Sequence, residues 1–443
     1  MPKTLKKNDV IWPGHKFLDP CVHTFLLNSI YYKAVKTSAL LFFQEQLRKG
    51  LFTELAEQGL IPAMTEEREL AMENFPLIFR QESDHFSVDC TAWTPSMFRE
   101  GALTVLRLMK LLLARGLCLS DGHTGNMIMQ GHAALRWCDI GSITLFHPQK
   151  FQSMLDEFIR FFIYPLQLRL RPSCGDMMRM LARGGISHAQ AQELGLTISL
   201  TASDSEDLLK KLIEYVQSLQ IPWEKTAWSD YYQSEDIFTG ENGTEIPNPS
   251  QESPRMALAA RFLHLFHPAT VFDIGANSGL FSRMAAQTGA EVLACDLDEA
   301  AVDKHYVRLQ HDGEDLRIKP CVGGVDTPVT AELTMAMALT HHLYFSQQWS
   351  LKDIARLLSQ QTSSTLITEF MANGLGGTRP HPNPLPENYH VGVFAAHLEH
   401  YFTHVEVVDY PSQADGAKRI FLLCREKRPV SLPYSNGPLP DGL

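Results

Sequence analysis

Val271-Phe-Asp-Ile-Gly-Ala-Asn-Ser-Gly-Leu-Phe-Ser282, followed by Glu291-Val-Leu-Ala-Cys-Asp-Leu-Asp298, decides the reading of the second half of this chain. A short apolar run, a glycine-rich turn, a helical stretch and a second apolar run ending in acid form the front of a nucleotide-binding α/β unit. Gly275 and Gly279 let the backbone turn sharply and approach a ligand closely. Asp296 stands at the tip of the second strand, placed to accept from both hydroxyls of a ribose. Asp273 within the turn would repel a pyrophosphate and suits a ligand bearing an amino group or a positive charge. The spacing Asp-x-Gly-x-Asn-x-Gly therefore favours S-adenosylmethionine (SAM) over a dinucleotide.

Outward from this stretch, strands are expected at Val271–Ile274, Val292–Cys295, Leu333–Leu339, Thr365–Phe370, Val405–Val408 and Arg419–Cys424. Helices are expected at Met256–His267, Gly279–Thr288, Glu299–Leu309, Leu351–Gln360 and Val391–Tyr401. That alternation predicts an α/β fold with a mainly parallel, Rossmann-like sheet, its last two strands forming a hairpin or antiparallel edge. The polar, turn-rich residues 234–255 read as a linker or flap, and the Pro-rich residues 429–443 as a tail. Upstream, residues 25–60 and 98–116 read as helical, residues 126–145 as short strands turning at Gly131-His132, and residues 151–233 as mostly helical.

Composition sets wide limits. The 443 residues suit two or three domains of roughly 150 residues each. A net charge of −11 argues against a general nucleic-acid or anionic-membrane surface. The eight cysteines lack a C-x-x-C pair, which fits free thiols in a reducing cytoplasm rather than disulfides or zinc. No signal peptide or long apolar run is evident, so the expected location is cytoplasmic.

Asp273-Ile-Gly-Ala-Asn-Ser-Gly279, Asp296 and Met335-Ala-Met-Ala-Leu-Thr-His-His-Leu343 together resemble the class I SAM-dependent methyltransferases over roughly residues 256–428. The resemblance implies that the backbone around Gly275, Ala276, Asn277 and Gly279 contacts the methionine part of SAM. It also implies that Asp273 meets the ammonium group, Asp296 the ribose and Leu297 one face of the adenine, with Asp326 a candidate for the adenine edge. At the strand ends, His341, His342 and Glu369 are the candidates for proton removal or substrate contact. One histidine packing under the cofactor and the other capping a helix is an equal alternative. For Glu369 a substrate contact is favoured over a structural salt bridge. Histidines 381, 390, 397, 400 and 404 match no metal-ligand spacing and read as a solvated loop and helix face, so no metal is expected.

In the first half, Ser120-Asp-Gly-His-Thr-Gly-Asn126 and Trp137-Cys-Asp-Ile-Gly141 resemble the catalytic and metal-binding segments of protein-kinase-like folds, in the style of aminoglycoside phosphotransferases. The resemblance places Asp121, Asn126 and Asp139 in those roles. A Gly-rich loop and a strand lysine paired with a helix glutamate are not evident, so residues 1–150 read as a degenerate kinase-like domain and 151–233 as a helical extension. Tyr231 and Tyr232, in Trp228-Ser-Asp-Tyr-Tyr232, are expected to cap the cofactor or substrate, or to pack a domain interface. The whole arrangement resembles bacterial two-part methyltransferases of nodulation and natural-product biosynthesis. Its expected function is methyl transfer to an oxygen or nitrogen of a small-molecule or carrier- or peptide-bound substrate. A phosphotransferase or bifunctional enzyme, and a non-catalytic SAM- or partner-binding protein, are the alternatives.

Overall fold

The computed structural model describes residues 3–13, 19–171, 184–221, 226, 237–239, 245–247, 254–312, 315–376, 384–411 and 418–429. Tyr231, Tyr232, His381 and the tail from residue 430 lie outside them. The chain divides into two compact units, Met1–Ser229 with Asp298–Val322, and Asp230–Leu297 with Gly323–Leu443.

In the second unit the strands lie in the order Glu291–Asp296, Thr270–Ile274, Ala331–Ala336, Thr362–Met371, Lys418–Lys427, Phe402–Pro411. The first four run parallel, with Val271 opposite Val292 on one side and Leu333 on the other. The last two form an antiparallel hairpin that joins the sheet through Leu366 opposite Cys424. Val271, Phe272 and Ile274 are buried, as in strands covered on both faces. Helix Leu351–Gln360 shows why these connections are helical. Its Leu351, Ile354, Ala355 and Leu358 recur on one buried face, and the Ser350 hydroxyl accepts the Asp353 N–H at 3.1 Å as its N-cap. The chain leaves Thr270–Ile274 toward one neighbour and later returns on the other side, which makes that strand the switch point where open α/β sheets bind ligands.

The linker reading of 234–255 changes in two places. Ile237–Thr239 and Glu245–Pro247 pair as short antiparallel strands, and the following helix already starts at Pro254. Arg255 therefore belongs to the helix.

The first unit opens with a four-stranded antiparallel sheet in the order Val22–Leu27, Ile30–Val35, Leu77–Gln81, Met64–Glu66. This corrects the expectation of helix throughout 25–60. Asn28 and Ser29 take φ of 51° and 62°, the two-residue turn whose twist matches flanking strands, so the apolar residues on either side zip into a hairpin. Within that stretch α-helices occupy Leu40–Arg48 and Leu51–Glu57, preceded by a 3-10 turn at Thr37–Ala39. Helix Pro95–Leu113 starts where Thr94 caps it and proline fills its first position. Beyond it, Leu117–Leu119 pairs with Ile143–Leu145, and Met127–Gln130 with Ala134–Trp137. Helix Pro148–Phe158 then passes through a π-helical turn, Ile159–Ile163, before Pro165.

Helix Glu299–Asp312 and strand Ile318–Val322 belong to this unit, and buried polar contacts tie them into it. Asp303 accepts the Ser96 N–H at 2.9 Å and its hydroxyl at 2.8 Å. Lys319, with no exposed surface, pairs with Asp84 at 2.7 Å. The expectation of free thiols fails at Cys295 and Cys321, each of which is disulfide-bonded. Cys21, Cys90, Cys118, Cys138 and Cys424 are free. No helix among the described residues is long and apolar enough to cross a membrane.

Candidate functional site

The glycine loop of the second unit turns through three left-handed residues, Gly275 at φ 73°, Asn277 at 50° and Gly279 at 84°. A side chain at Gly275 would be strained in that conformation and would crowd Leu339. The turn also consumes its own donors. The N–H groups of Gly275 and Ala276 both donate to the Cys295 carbonyl, at 2.8 and 3.0 Å. Asn277 donates to Asp296 Oδ2 at 2.8 Å, Ser278 to the Asn277 side chain at 2.7 Å and Gly279 to the Ala276 carbonyl at 2.9 Å. A loop that cradles phosphate leaves such N–H groups free for the anion. Here all five are engaged by the loop itself, Cys295 and Asp296.

The acids of the loop complete a site of negative character. Asp273 is 1% exposed and accepts the Ser282 hydroxyl at 2.6 Å. Burial pushes it up to about 6, the Ser282 hydroxyl and Arg255 pull it back, and Asp296 adds to the rise. The folded value lies above the unfolded one, so ionisation of Asp273 opposes folding. That penalty is absent below about pH 4 and fully present above about pH 6. Asp273→Asn, which still accepts from Ser282, is expected to stabilise the protein at pH 7 by on the order of 2 kcal/mol. The gain should vanish near pH 4, as denaturant titrations at the two pH values would show.

Asp296 ends its strand beside the loop, and Leu297 next to it is 56% exposed, an apolar platform at the strand tip. A methyl group on Gly324 would touch Leu297 and Asp326, so these two flank the same glycine. The structure thus brings Asp273, Gly275, Ala276, Asn277, Gly279, Asp296, Leu297 and Asp326 to one strand-end region.

His341 and His342 begin the helix Thr340–Phe345, two residues beyond the Leu339 that crowds Gly275. Their rings lie 4.0 Å apart. Burial, then His342 and Arg419, push His341 down to about 3, and burial lowers His342 as well. Both imidazoles are therefore neutral near pH 7, able to orient a hydrogen-bonding group but weak as proton acceptors. His341 Nδ1 is buried with no hydrogen-bond partner among the described residues.

Glu369 is corrected by its surroundings. It has no exposed surface, and its two oxygens take Arg255 Nε at 2.8 Å and Nη2 at 2.7 Å, with Arg419 at 3.8 Å. It forms a buried bidentate ion pair rather than a substrate contact. Among the distal histidines, His390 caps helix Val391–Leu398 and His404 faces Glu426 at 3.3 Å. Among the described residues no group of three His, Cys, Asp or Glu is arranged to hold a metal.

A second site occupies the first unit. A cleft of about 700 Å3 is lined by Lys33, Gln81, Asp121, Asn126 and Asp139, with Asp19 at its edge. Asn126 donates to Asp121 at 2.8 Å, and Asp139 accepts the Gly141 N–H at 3.0 Å. Burial, then Asp139 and Glu157, push Asp121 up to about 7. Asp139 is also raised by burial, opposed by Lys33. A methyl at Gly141 would overlap the Asp19 carboxylate, so that side chain would have to move for any larger residue. Lys33, 5% exposed on the strand Ile30–Val35, is the residue that sequence reading missed. The signal was a lone cation inside an apolar strand, hidden once 25–60 was read as helix.

No family model matches the chain. Nodulation protein NoeA of Rhizobium meliloti (strain 1021) is 22% identical over 331 residues, which cover 63% of this chain and 67% of that protein. Ribosomal protein L11 methyltransferase of Clostridium botulinum (strain Alaska E43 / Type E3) is 32% identical over 82 residues, 18% of this chain, and the match spans only 26% of that enzyme's length. A solved structure of the bifunctional kinase-methyltransferase WbdD aligns over 38% of each chain with 16% identity and a TM-score of 0.30, too loose a superposition to establish a shared fold.

Proposed function

We propose that this chain is a SAM-dependent methyltransferase whose donor site is built at the strand ends of the second unit. One observation carries the reading. The glycine loop has no N–H group left for a phosphate, yet sets two carboxylates, Asp273 and Asp296, around its turn. Such a loop repels a pyrophosphate and receives a ligand with an ammonium group, a sulfonium charge and a ribose. In this reading Asp273 faces the ammonium, Asp296 takes both ribose hydroxyls and Leu297 covers the adenine, with Asp326 near its edge. The likeness to the ribosomal protein L11 methyltransferase, though short, supports the same conclusion.

Methyl transfer needs an aligned lone pair more than a strong base, because the sulfonium is itself a powerful electrophile. Neutral His341 and His342 would orient an oxygen or nitrogen acceptor on a small-molecule or carrier- or peptide-bound substrate, and solvent would take its proton. The test is release of S-adenosylhomocysteine from SAM across an acceptor panel. Turnover that disappears in His341→Leu, with SAM affinity kept, is the expected result. SAM binding with no turnover on any acceptor would favour a SAM-binding protein without catalysis.

A second activity is favoured by Lys33, which the structure buries in the first unit's cleft close enough to Asp139 to oppose its rise. A buried cation, two acids and an amide in one cleft suit a nucleotide phosphate carried by a divalent cation. The kinase-like first unit would then bind ATP with magnesium rather than being vestigial. Magnesium-dependent ATP binding that is lost in Asp139→Ala is the expected outcome, and no ATP binding at all would remove this second reading.

A further inference from the structure

Arg255 sits where three parts of the methyl-donor site meet. It lies in the first turn of helix Pro254–Phe266 and is 6% exposed. Its guanidinium grips Glu369 at the end of strand Thr362–Met371 by two hydrogen bonds. The same group lies 4.7 Å from the ring centre of Phe281, in the helix that the glycine loop opens into. The next residue, Ser282, donates its hydroxyl to Asp273 at 2.6 Å. One cation therefore ties the strand end, the loop's helix and the loop's buried acid into a single frame.

We propose that Arg255 is a positioning residue of the methyl-donor site, fixing the loop's helix through Phe281 and Glu369 and with it Ser282, which holds Asp273. This inference rests on the SAM reading. A buried carboxylate needs a nearby cation to stay ionised before its ligand arrives. Around Asp273, the helix Leu280–Gln287 offers the neutral Ser282, the strand Glu291–Asp296 offers the acid Asp296, and helix Pro254–Phe266 offers Arg255. Arg255 is the cation among these. Without it Asp273 would take up its proton at higher pH and the ammonium group of SAM would lose its counter-charge.

The test measures SAM affinity by calorimetry between pH 5 and 8 for wild type, Arg255→Lys and the double variant Arg255→Met/Glu369→Leu. The double variant removes the bidentate pair as a unit, and Arg419 loses only its longer contact to Glu369, at 3.8 Å. The expected result is roughly tenfold weaker SAM binding at pH 7 in the double variant. Its loss of affinity on acidification should begin about one pH unit higher than in wild type. Arg255→Lys keeps the charge but not the fork, so it should weaken binding several-fold with the wild-type pH midpoint. Wild-type affinity at every pH in the double variant would overturn the proposal and leave Arg255 a structural partner of Glu369. If the double variant does not fold, wild-type affinity in Arg255→Lys would overturn it equally. Absence of SAM binding in the wild type itself would instead remove the underlying methyl-donor reading.

Discussion

Asp296→Ala is expected to weaken SAM binding by about 100-fold while leaving the sheet folded. In the proposed complex this carboxylate accepts from both ribose hydroxyls. Charge-assisted hydrogen bonds of this kind contribute about 1.5 kcal/mol or more each, so two of them amount to roughly a factor of 100 in affinity. The residue is only partly buried at a strand tip, where it accepts the Asn277 N–H at 2.8 Å. Water can replace that acceptor, so stability should change little. Asp296→Asn keeps one good acceptor and should lose nearer tenfold. Calorimetry with SAM, alongside a thermal melt of each variant, separates lost contact from lost fold. An unchanged affinity in Asp296→Ala would place the ribose elsewhere.

Glu369→Ala should be the most destabilising single substitution in the second unit. Removing one partner of a buried pair costs about 3–5 kcal/mol because the other charge is left without compensation. Here Arg255, 6% exposed, would lose its bidentate carboxylate, and Arg419 would lose an acid 3.8 Å away. Denaturant unfolding checks this directly. A residue that touched substrate would behave in the opposite way, with stability intact and turnover lost. The paired replacement Arg255→Met/Glu369→Leu should recover most of the lost stability, since a well-packed apolar pair of similar volume needs no compensating charge.

The sheet of the second unit was legible because its strands are apolar runs bounded by turn signals, and the acids at 273 and 296 fall at their tips. Glu369 was misread for a physical reason. An acid at the end of an apolar strand signals either a ligand or a buried partner, and the partner is 114 residues away in sequence. Arg255 was invisible in the same way, because the turn-rich stretch before it hid a helix that starts at Pro254. In the first half, Val22–Leu27 and Ile30–Val35 contain enough apolar residues to satisfy a helical period. Only the paired left-handed residues Asn28 and Ser29 reveal the hairpin, and neither is the glycine that usually announces such a turn. Lys33 and the cleft it lines went unrecognised with that hairpin. The motif residues Asp121, Asn126 and Asp139 were readable because they lie close together in sequence, and the structure brings them to one cleft.

The central claim is that the loop at 273–279 receives a cationic, ribose-bearing methyl donor. Titration of SAM into the wild-type protein tests it most directly. Saturable one-to-one binding, strongest between about pH 6 and 8, is the expected result. Below that window Asp273 becomes protonated, and above it the ligand's amino group loses its charge. No detectable binding of SAM within that window would contradict it.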